Sequence, residues 1–420
     1  MSAPRTILII SGGVEALPGI ERARALGFRV AVSDGNPRAP GAALADHFLE
    51  ASTYDPAATA AAAQGLVAAG VRLCGVLSVG ADVPVTVATV AQRLGLPGLD
   101  LETARICADK LAMKRHFEKA GVPVPWFAPV ATRRDLAIAL AERGRTLVLK
   151  PVDSRGSRGV IRVTARTDLA WALAEALSYS PSKRLLVEDY IPGAQISTES
   201  LIIEGRTLTP GFSDRNYERL GEFGPFFVED GGDLPSRLPP ARQEAIRRLI
   251  EETATALGMR SGTLKGDVVW DNASDRPLII EVAPRLSGGY FCSHEIPLNT
   301  GVDFLGIAIR LAAGESVDPS EGAVRFQRHV CQRYAFVPPG RVVHIAGLAE
   351  ARGLPGVEAV MLHVAPGDII RPTTNTTSRA AMVIATGEDR ASAEANARAA
   401  LARLTVEIAP ETEQRKAASG

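Results

Sequence analysis

The sequence has 420 residues, of which 46% are hydrophobic and 22% charged, and its formal net charge at pH 7 is zero. A chain of this length has room for about three domains, and its balanced charge argues against nucleic acid or an anionic membrane as a partner. Its apolar runs are shorter than the roughly 18 residues of a spanning helix, and its start lacks the apolar length of a secretory signal, so we expect a cytoplasmic protein.

Lysine is scarce in this sequence. The 47 basic residues include only seven lysines, Lys110, Lys114, Lys119, Lys150, Lys183, Lys265 and Lys416. A lysine ammonium is a compact charge that suits phosphate oxygens in a tight site, so each lysine deserves a functional explanation. The four cysteines show no spacing typical of a metal site and no sign of a disulfide framework.

Residues 1–108 alternate strand and helix patterns. Strands are predicted at Thr6–Ile10, Phe28–Val32 and Cys74–Leu77, and each ends in a polar, glycine-containing segment. This pattern indicates a small parallel βαβ layer, in which ligands bind at the carboxyl ends of the strands. The first turn lacks a full GxGxxG pattern. A ligand contact and a simple turn role therefore both remain open for the polar and glycine residues of these ends, Gly12, Gly13, Asp34 and Asp82.

A different pattern begins at Asp109, where an amphipathic helix is predicted to run to Ala120. A strand at Thr146–Pro151 then leads into a glycine-rich turn, Asp153–Gly159, and directly into a second strand. Such a turn is neither a P-loop nor a Rossmann turn, because both of those open a helix. Its backbone N–H groups can still form an anion-binding nest. The alternative is an ordinary hairpin turn. The position of Lys150 at the strand end favours a phosphate-binding role for the turn.

A further strand at Leu185–Ile191 runs into a bend at Pro192 and Gly193. Backbone polar groups just past this strand are suited to recognising the edge of an adenine ring.

The stretch Gly266–Gly289 predicts a β-hairpin centred near Ser274, with two apolar arms around a turn-forming segment. This register places Asp267 opposite Glu281. Opposed side chains have Cβ atoms about 5 Å apart, and like charges there are destabilising unless something positive lies between them. A divalent cation between the two carboxylates satisfies this requirement. Mg²⁺ suits such a site best, with substrate phosphates completing its ligand shell. The alternative is a solvated hairpin with two surface acids.

The last hundred residues predict a small α+β unit, with strands at Arg341–Ile345, Val357–Leu362 and Ala380–Ala385 and a helix at Ala391–Leu404. We expect the tail from Glu411 to be disordered.

Taken in order, Asp109-Lys110, Lys150-Pro151, SRGSRGV, VEDYIPG, Asp267 and EVAPR resemble the motifs of the ATP-grasp superfamily of carboxylate-amine and carboxylate-thiol ligases. The neighbours by resemblance include L-amino acid ligases, the ATP-grasp purine-biosynthesis enzymes, biotin carboxylase and carbamoyl phosphate synthetase. The implied fold class is α/β and α+β: a parallel, Rossmann-like βαβ domain at 1–108, an ATP-grasp domain at 109–320 and a small α+β domain at 321–420. Within the central domain, the resemblance implies a lid subdomain at about 125–190 and a metal-binding hairpin at 266–282.

The resemblance also implies roles for individual residues. Arg285 would face the acyl phosphate, and Asp267 and Glu281 would bind Mg²⁺, with Mn²⁺ as an alternative ion. Lys150 would act in catalysis and also contact ATP. The full set of implied ATP contacts is Lys110, Lys150, Ser154, Gly156, Ser157, Gly159, Val160, Glu188, Asp189, Tyr190, Ile191 and Gln195. Substrate contacts are assigned to Arg285, Gly288, Gly289 and His294, because the two glycines permit a close backbone approach and His294 follows them.

Two positions depart from the family pattern. Gln195 stands where glutamate commonly contacts ribose, and a Gln side chain can still donate and accept hydrogen bonds there. Ala283 stands where an asparagine commonly contributes to the metals, and a methyl group cannot be a ligand. Whether one or two metal ions bind is therefore left open.

The sequence thus predicts an ATP-dependent, ADP-forming ligase that activates a small carboxylic acid, best an amino acid, as an acyl phosphate and joins it to an amine. Its partners would be ATP and small-molecule substrates, with neither nucleic acid nor membrane, and a homodimer remains open. The alternatives are a nucleotide-binding protein without catalysis and a carboxylate-thiol ligase.

Overall fold

A computed structural model of the chain describes residues 4–410. The chain divides into two compact units, and each is built from three separate segments. The first unit contains Met1–Pro129, Glu188–Ser213 and Ser236–Gln327, and the second contains Val130–Val187, Asp214–Pro235 and Arg328–Gly420. The predicted disordered tail from Glu411 falls outside the described residues.

The first hundred residues form the predicted parallel sheet with helices. Its elements are β1 (Arg5–Ile10), α1 (Leu17–Ala25), β2 (Arg29–Asp34), β3 (His47–Glu50), α2 (Pro56–Ala68), β4 (Arg72–Ser78) and α3 (Pro84–Leu94). The strand order is β3-β2-β1-β4, and all neighbours are parallel. Leu8, Ile10 and Ala31 are buried in its core, which explains the continuous apolar runs in the sequence.

Two short helices then lead into the central part of the chain, α4 (Leu101–Ala108) and α5 (Lys110–Ala120). Asp109 begins α5 because its carboxylate accepts hydrogen bonds from the backbone N–H groups of Leu111 and Ala112, both at 2.9 Å. Gly121 ends the helix in a left-handed conformation with φ of 76°. The predicted bounds of this helix are confirmed.

The next segment contains β5 (Phe127–Val130), α6 (Arg133–Arg143), β6 (Leu147–Pro151), β7 (Ile161–Val163), α7 (Leu169–Ser178) and β8 (Leu185–Asp189). Strands β6 and β7 are antiparallel neighbours, as expected for two strands joined by a glycine-rich turn. A reciprocal capping box between Thr132 and Asp135 begins α6.

The central elements that follow are β9 (Gln195–Ile203), β10 (Arg206–Asn216), β11 (Gly231–Leu234), α8 (Pro240–Ala256), β12 (Gly262–Asp271) and β13 (Arg276–Ala283). In the first unit, β12 lies between β9 and β13 and is antiparallel to both. Apolar residues of α8, including Ile246 and Leu249, share one core with Val268 and Ile279 of the hairpin.

The remaining elements are α9 (Ile296–Thr300), α10 (Phe304–Ala312), β14 (His329–Ala335), β15 (Gly340–Ala346), α11 (Leu348–Arg352), β16 (Val357–Leu362), β17 (Ile369–Ile370), β18 (Ala381–Gly387), α12 (Arg390–Arg403) and β19 (Thr405–Ala409). In the second unit, β18 lies between β14 and β16, and β15 lies between β17 and β19. The small side chains Ala393, Ala397 and Ala400 of α12 pack against β14 and β18. Among residues 4–410, none of the helices is both long enough and apolar enough to cross a membrane.

Candidate active site

The hairpin of β12 and β13 places Asp267 directly opposite Glu281, as the sequence predicts. The register shifts by one residue between Asp267 and Val268, so that Asp271 pairs with Arg276 nearer the turn, and the predicted uniform register is wrong there. Its turn is closed by Asp271, whose carboxylate accepts hydrogen bonds from the Ala273 N–H at 3.0 Å and the Ser274 hydroxyl at 2.6 Å. Side chains alternate between the two faces of a strand, so Lys265 and Asp267 share one face of the sheet. Ala283 and Glu281 lie opposite them on that same face.

Two lysines lie beside the opposed carboxylates. Lys265 forms an ion pair with Asp267, and Lys110, at the start of α5, lies with its Nζ 3.4 Å from a carboxylate oxygen of Glu281. These charges offset the repulsion expected between two acids in opposed positions. The Asp267 side chain is 7% exposed and that of Glu281 is 35% exposed, so Glu281 is the more accessible of the two.

The chemistry of this donor set fits Mg²⁺. Carboxylate oxygens are hard ligands, and Mg²⁺ is commonly held by one or two carboxylates with substrate phosphates completing its shell. No group of three or more His, Cys, Asp or Glu side chains within residues 4–410 is arranged to hold a metal ion. Asp267 and Glu281 are the residues that would hold the ion, because their carboxylates lie directly opposite each other, and substrate or water would supply its other ligands.

Arg285 follows β13 by two residues and lies 16% exposed, with its Nε 3.4 Å from a carboxylate oxygen of Asp82. Burial opposes its charge, but the carboxylates of Asp82, Glu199, Glu281 and Asp267 together raise the pKa of its guanidinium. Arg285 is thus a fixed positive charge close to the hairpin. Asp82 thus contacts a predicted catalytic residue, and its assignment as a ligand contact or a turn residue stays a prediction.

Glu199 and Ser287 form a buried pair that sequence reasoning missed. The Ser287 N–H donates to one Glu199 carboxylate oxygen at 2.8 Å, and the Ser287 hydroxyl donates to the other. Glu199 lies on β9, directly opposite Lys265, and is fully buried. Burial raises the pKa of its carboxyl to about 7, against the lowering effect of the Ser287 hydrogen bonds and the nearby Arg285 and Lys265 charges.

The loop after Arg285 contacts the first unit's amino-terminal segment. The Gly289 N–H donates to the Glu15 carboxylate at 2.8 Å. His294 is half-buried, with its Nδ1 2.9 Å from the Ser293 hydroxyl and its ring edge-on to Tyr290. Burial lowers the pKa of His294, which favours the neutral imidazole. The roles of Gly288, Gly289 and His294 in substrate binding stay predictions, and one N–H of this loop already has a protein acceptor.

The end of β8 contains a second feature that sequence reasoning missed. Lys114 of α5 forms an ion pair of 2.7 Å with Glu188, and the two side chains are 1% and 3% exposed. The Glu188 carboxylate is therefore directed into the protein. The Asp189 N–H donates to the Trp126 carbonyl at 2.9 Å. Tyr190 and Ile191 follow the end of the strand and are half-buried, and Gln195 begins β9.

In the second unit, Lys150 is buried near the end of β6, and the glycine-rich turn follows it. Gly156, Ser157 and Gly159 have φ values of 63°, 58° and 73°. Gly156 and Gly159 adopt this left-handed conformation without strain, and Ser157 adopts it as a non-glycine residue. Such conformations are typical of turns that present backbone N–H groups to an anion. The Gly156 carbonyl accepts hydrogen bonds from the Thr376 N–H at 3.2 Å and hydroxyl at 3.0 Å.

The structure therefore brings some of the predicted residues together within each unit. In the first unit, the charged set Lys110, Asp267, Glu281 and Arg285 occupies one region around the hairpin. The predicted phosphate contacts in the second unit are Lys150, Ser154, Gly156, Ser157, Gly159 and Val160. Asp34 has a turn role, since its carboxylate accepts from the Gly12 N–H at 2.8 Å and the Asn36 N–H at 2.9 Å.

Comparison with known proteins agrees with this arrangement. A family model described as an ATP-grasp domain matches residues 107–289, and one described as L-amino acid ligase C-terminal domain 2 matches residues 333–409. The crystal structure of an L-amino acid ligase from Bacillus licheniformis superposes with a TM-score of 0.81 at 23% identity, covering 97% of this chain and 100% of that one. The chain has the ATP-grasp fold. The predicted family and fold class are confirmed.

Two curated sequences align with about three quarters or more of this chain. The uncharacterized protein y4rH of Sinorhizobium fredii is 29% identical over 345 residues, which is 80% of this chain and 69% of that protein. Carnosine synthase 1 of Gallus gallus is 28% identical over 345 residues, which is 76% of this chain but only 36% of that protein. The predicted class of enzyme, an ATP-dependent ligase that forms a C–N bond, is confirmed by the two family models, for an ATP-grasp domain and for an L-amino acid ligase domain.

Proposed function

We propose that the protein uses ATP to activate the carboxyl group of an amino acid as an acyl phosphate and then joins it to an amine, releasing ADP and phosphate. The observation that carries this proposal is the directly opposed pair of Asp267 and Glu281, with the charged Arg285 four residues after Glu281. A carboxylate pair for Mg²⁺ and a fixed guanidinium charge are groups suited to the transfer of a phosphoryl group to a carboxylate.

Each residue has a defined task in this proposal. Mg²⁺, when bound, neutralises phosphate charge during phosphoryl transfer. Asp267 and Glu281 hold it, and Lys150 and the turn at Ser154–Val160 bind phosphate oxygens. Arg285 opposes the negative charge that develops on the acyl phosphate, and Asp82, 3.4 Å from its Nε, keeps it oriented.

Adenine recognition falls to the backbone that follows β8. The carboxylate of Glu188 is held by Lys114, so this residue contributes by fixing the strand end rather than by touching the base. Tyr190 and Ile191 come next and would present backbone groups to the adenine edge, while Gln195 would contact the ribose.

The names of the relatives support an amino-acid substrate. One model matches the C-terminal domain of L-amino acid ligases, and the relative from Gallus gallus is named a carnosine synthase. A homodimer is part of the proposal, because a solved neighbour, the biotin carboxylase domain of Hydrogenobacter thermophilus 2-oxoglutarate carboxylase, is described as a dimer.

The test is a screen of amino acids and small carboxylates, alone and in pairs with amines, for ADP release from ATP and Mg²⁺. The expected result is ADP release with one group of pairs, together with a condensed product of matching mass. Arg285→Ala is the control, and it should bind nucleotide without releasing ADP. Nucleotide binding without ADP release under every mixture would instead support a binding protein without catalysis.

A further inference from the structure

A lysine occupies the charged face of the hairpin where a second metal ion would need ligands. Lys265 lies on β12, directly opposite Ala283 on β13 and directly opposite Glu199 on β9. Its ammonium contacts the Asp267 carboxylate, and its side chain is 15% exposed. The methyl group of Ala283 offers no donor atom, so it cannot contribute a ligand at this position.

The number of oxygen donors limits how many cations the face can bind. Mg²⁺ needs a near-octahedral shell of oxygen ligands, and the structure provides two carboxylates, Asp267 and Glu281, with no third acidic or histidine ligand grouped with them within residues 4–410. A second ion would have to share these same carboxylates. Lys265 already places a positive charge on one of them.

We propose that Lys265 is a built-in cation that takes the place of a second Mg²⁺, so that the site binds one metal ion with the nucleotide. The proposal rests on the proposed function, since the nucleotide supplies the remaining metal ligands. In this arrangement the Asp267 carboxylate would contact both the metal ion and the ammonium of Lys265, and the Glu281 carboxylate would bind the metal ion. Ala283 lies opposite Lys265 and provides no ligand.

Two consequences distinguish this arrangement from an ordinary surface ion pair. First, the complex with ADP should contain one metal ion per chain. Second, the fixed charge of Lys265 should weaken the binding of a divalent ion in the absence of nucleotide, because two cations close to one carboxylate repel each other.

The experiment counts bound Mn²⁺ by electron paramagnetic resonance, using the full-length protein with and without ADP. With ADP, the parent and Lys265→Arg should each bind one Mn²⁺ per chain, whereas the double variant Lys265→Met/Ala283→Asn should bind two. Without ADP, Lys265→Met should bind Mn²⁺ about tenfold more tightly than the parent. Lys119→Met, which removes an exposed lysine from α5, is the matched control and should change neither quantity.

Two Mn²⁺ ions per chain in the parent complex with ADP would overturn the inference. Equal Mn²⁺ affinity of the parent and Lys265→Met in the absence of nucleotide would also overturn it. If the parent fails to bind ADP, the proposed function fails, but the measurement without nucleotide still decides the role of Lys265. Lys265→Gln provides a second neutral variant, and melting curves of all variants identify any that do not fold.

Discussion

The Glu199 carboxyl allows a quantitative prediction, because it is fully buried and has a pKa of about 7 instead of the ordinary 4.5. Between these two pH values the folded protein keeps a proton on Glu199 that the unfolded chain has released. The folded state therefore binds more protons than the unfolded state, and the free energy of unfolding falls as pH rises through this window. The contribution of Glu199 is fully present below pH 4.5 and is lost above pH 7.

Replacing Glu199 with glutamine removes this pH dependence while retaining the shape of the side chain. The amide oxygen can accept the hydrogen bond from the Ser287 N–H, and the amide N–H can donate to the Ser287 hydroxyl. A change of one in pKa corresponds to about 1.4 kcal/mol, so Glu199→Gln should be more stable than the parent by about 3 kcal/mol at about pH 8. Near pH 4.5 the two proteins should unfold alike.

Chemical unfolding of both proteins across this pH range measures the difference directly. Glu251→Gln, at an exposed position of α8, is the matched control and should follow the parent at every pH. A difference between Glu199→Gln and the parent that stays constant from acid to alkaline pH would show that the Glu199 carboxyl does not titrate in this range, and the reasoning from burial would be wrong.

Three further predictions test the assigned roles. Lys150→Ala should weaken nucleotide binding, measured by calorimetry, whereas Arg285→Ala should leave binding nearly intact and stop ADP release. An equal loss of nucleotide affinity in both variants would show that the role assigned to Arg285 is wrong. Asp267→Asn should abolish ADP release. It should also leave Lys265 without its carboxylate partner and so lower the melting temperature without metal by an amount equivalent to about 1 kcal/mol. Added Mg²⁺-ATP should stabilise the parent more than this variant, and equal stabilisation would show that the metal ion binds elsewhere. Lys114→Met should destabilise the protein by about 3 kcal/mol in chemical unfolding, because it leaves a buried charge on Glu188. The double variant Lys114→Met/Glu188→Leu should regain most of the lost stability. A double variant as unstable as Lys114→Met would contradict the ion-pair explanation.

The sequence predicted those parts of the site that depend on local pattern. The pairing of Asp267 with Glu281 followed from two apolar arms and a short turn, although the register shift between Asp267 and Val268 did not. Helix α5 followed from its Asp109 cap. The glycine-rich turn between β6 and β7 followed from its spacing. Each of these features is determined by residues within about 25 positions of one another.

Contacts between distant residues were beyond the reach of sequence pattern. Glu199 and Ser287 are 88 positions apart, and Glu15 and Gly289 are 274 positions apart, so periodicity and spacing carry no signal for either pair. The scarcity of lysine offered a partial signal, since it singled out Lys114 and Lys265 as residues that needed an explanation. Their partners became evident only when the strands and helices were placed in three dimensions.

The central claim is that the carboxylate is activated by phosphoryl transfer. The most direct test uses the carboxylic acid that the substrate screen identifies, labelled with ¹⁸O in both carboxyl oxygens, and determines the label in the products by mass spectrometry. An acyl phosphate passes one carboxyl oxygen to phosphate when the amine attacks, so the account predicts one ¹⁸O atom in each released phosphate, with unlabelled ADP as the nucleotide product. Label in AMP, with release of pyrophosphate, would contradict the account and establish adenylation as the route of activation.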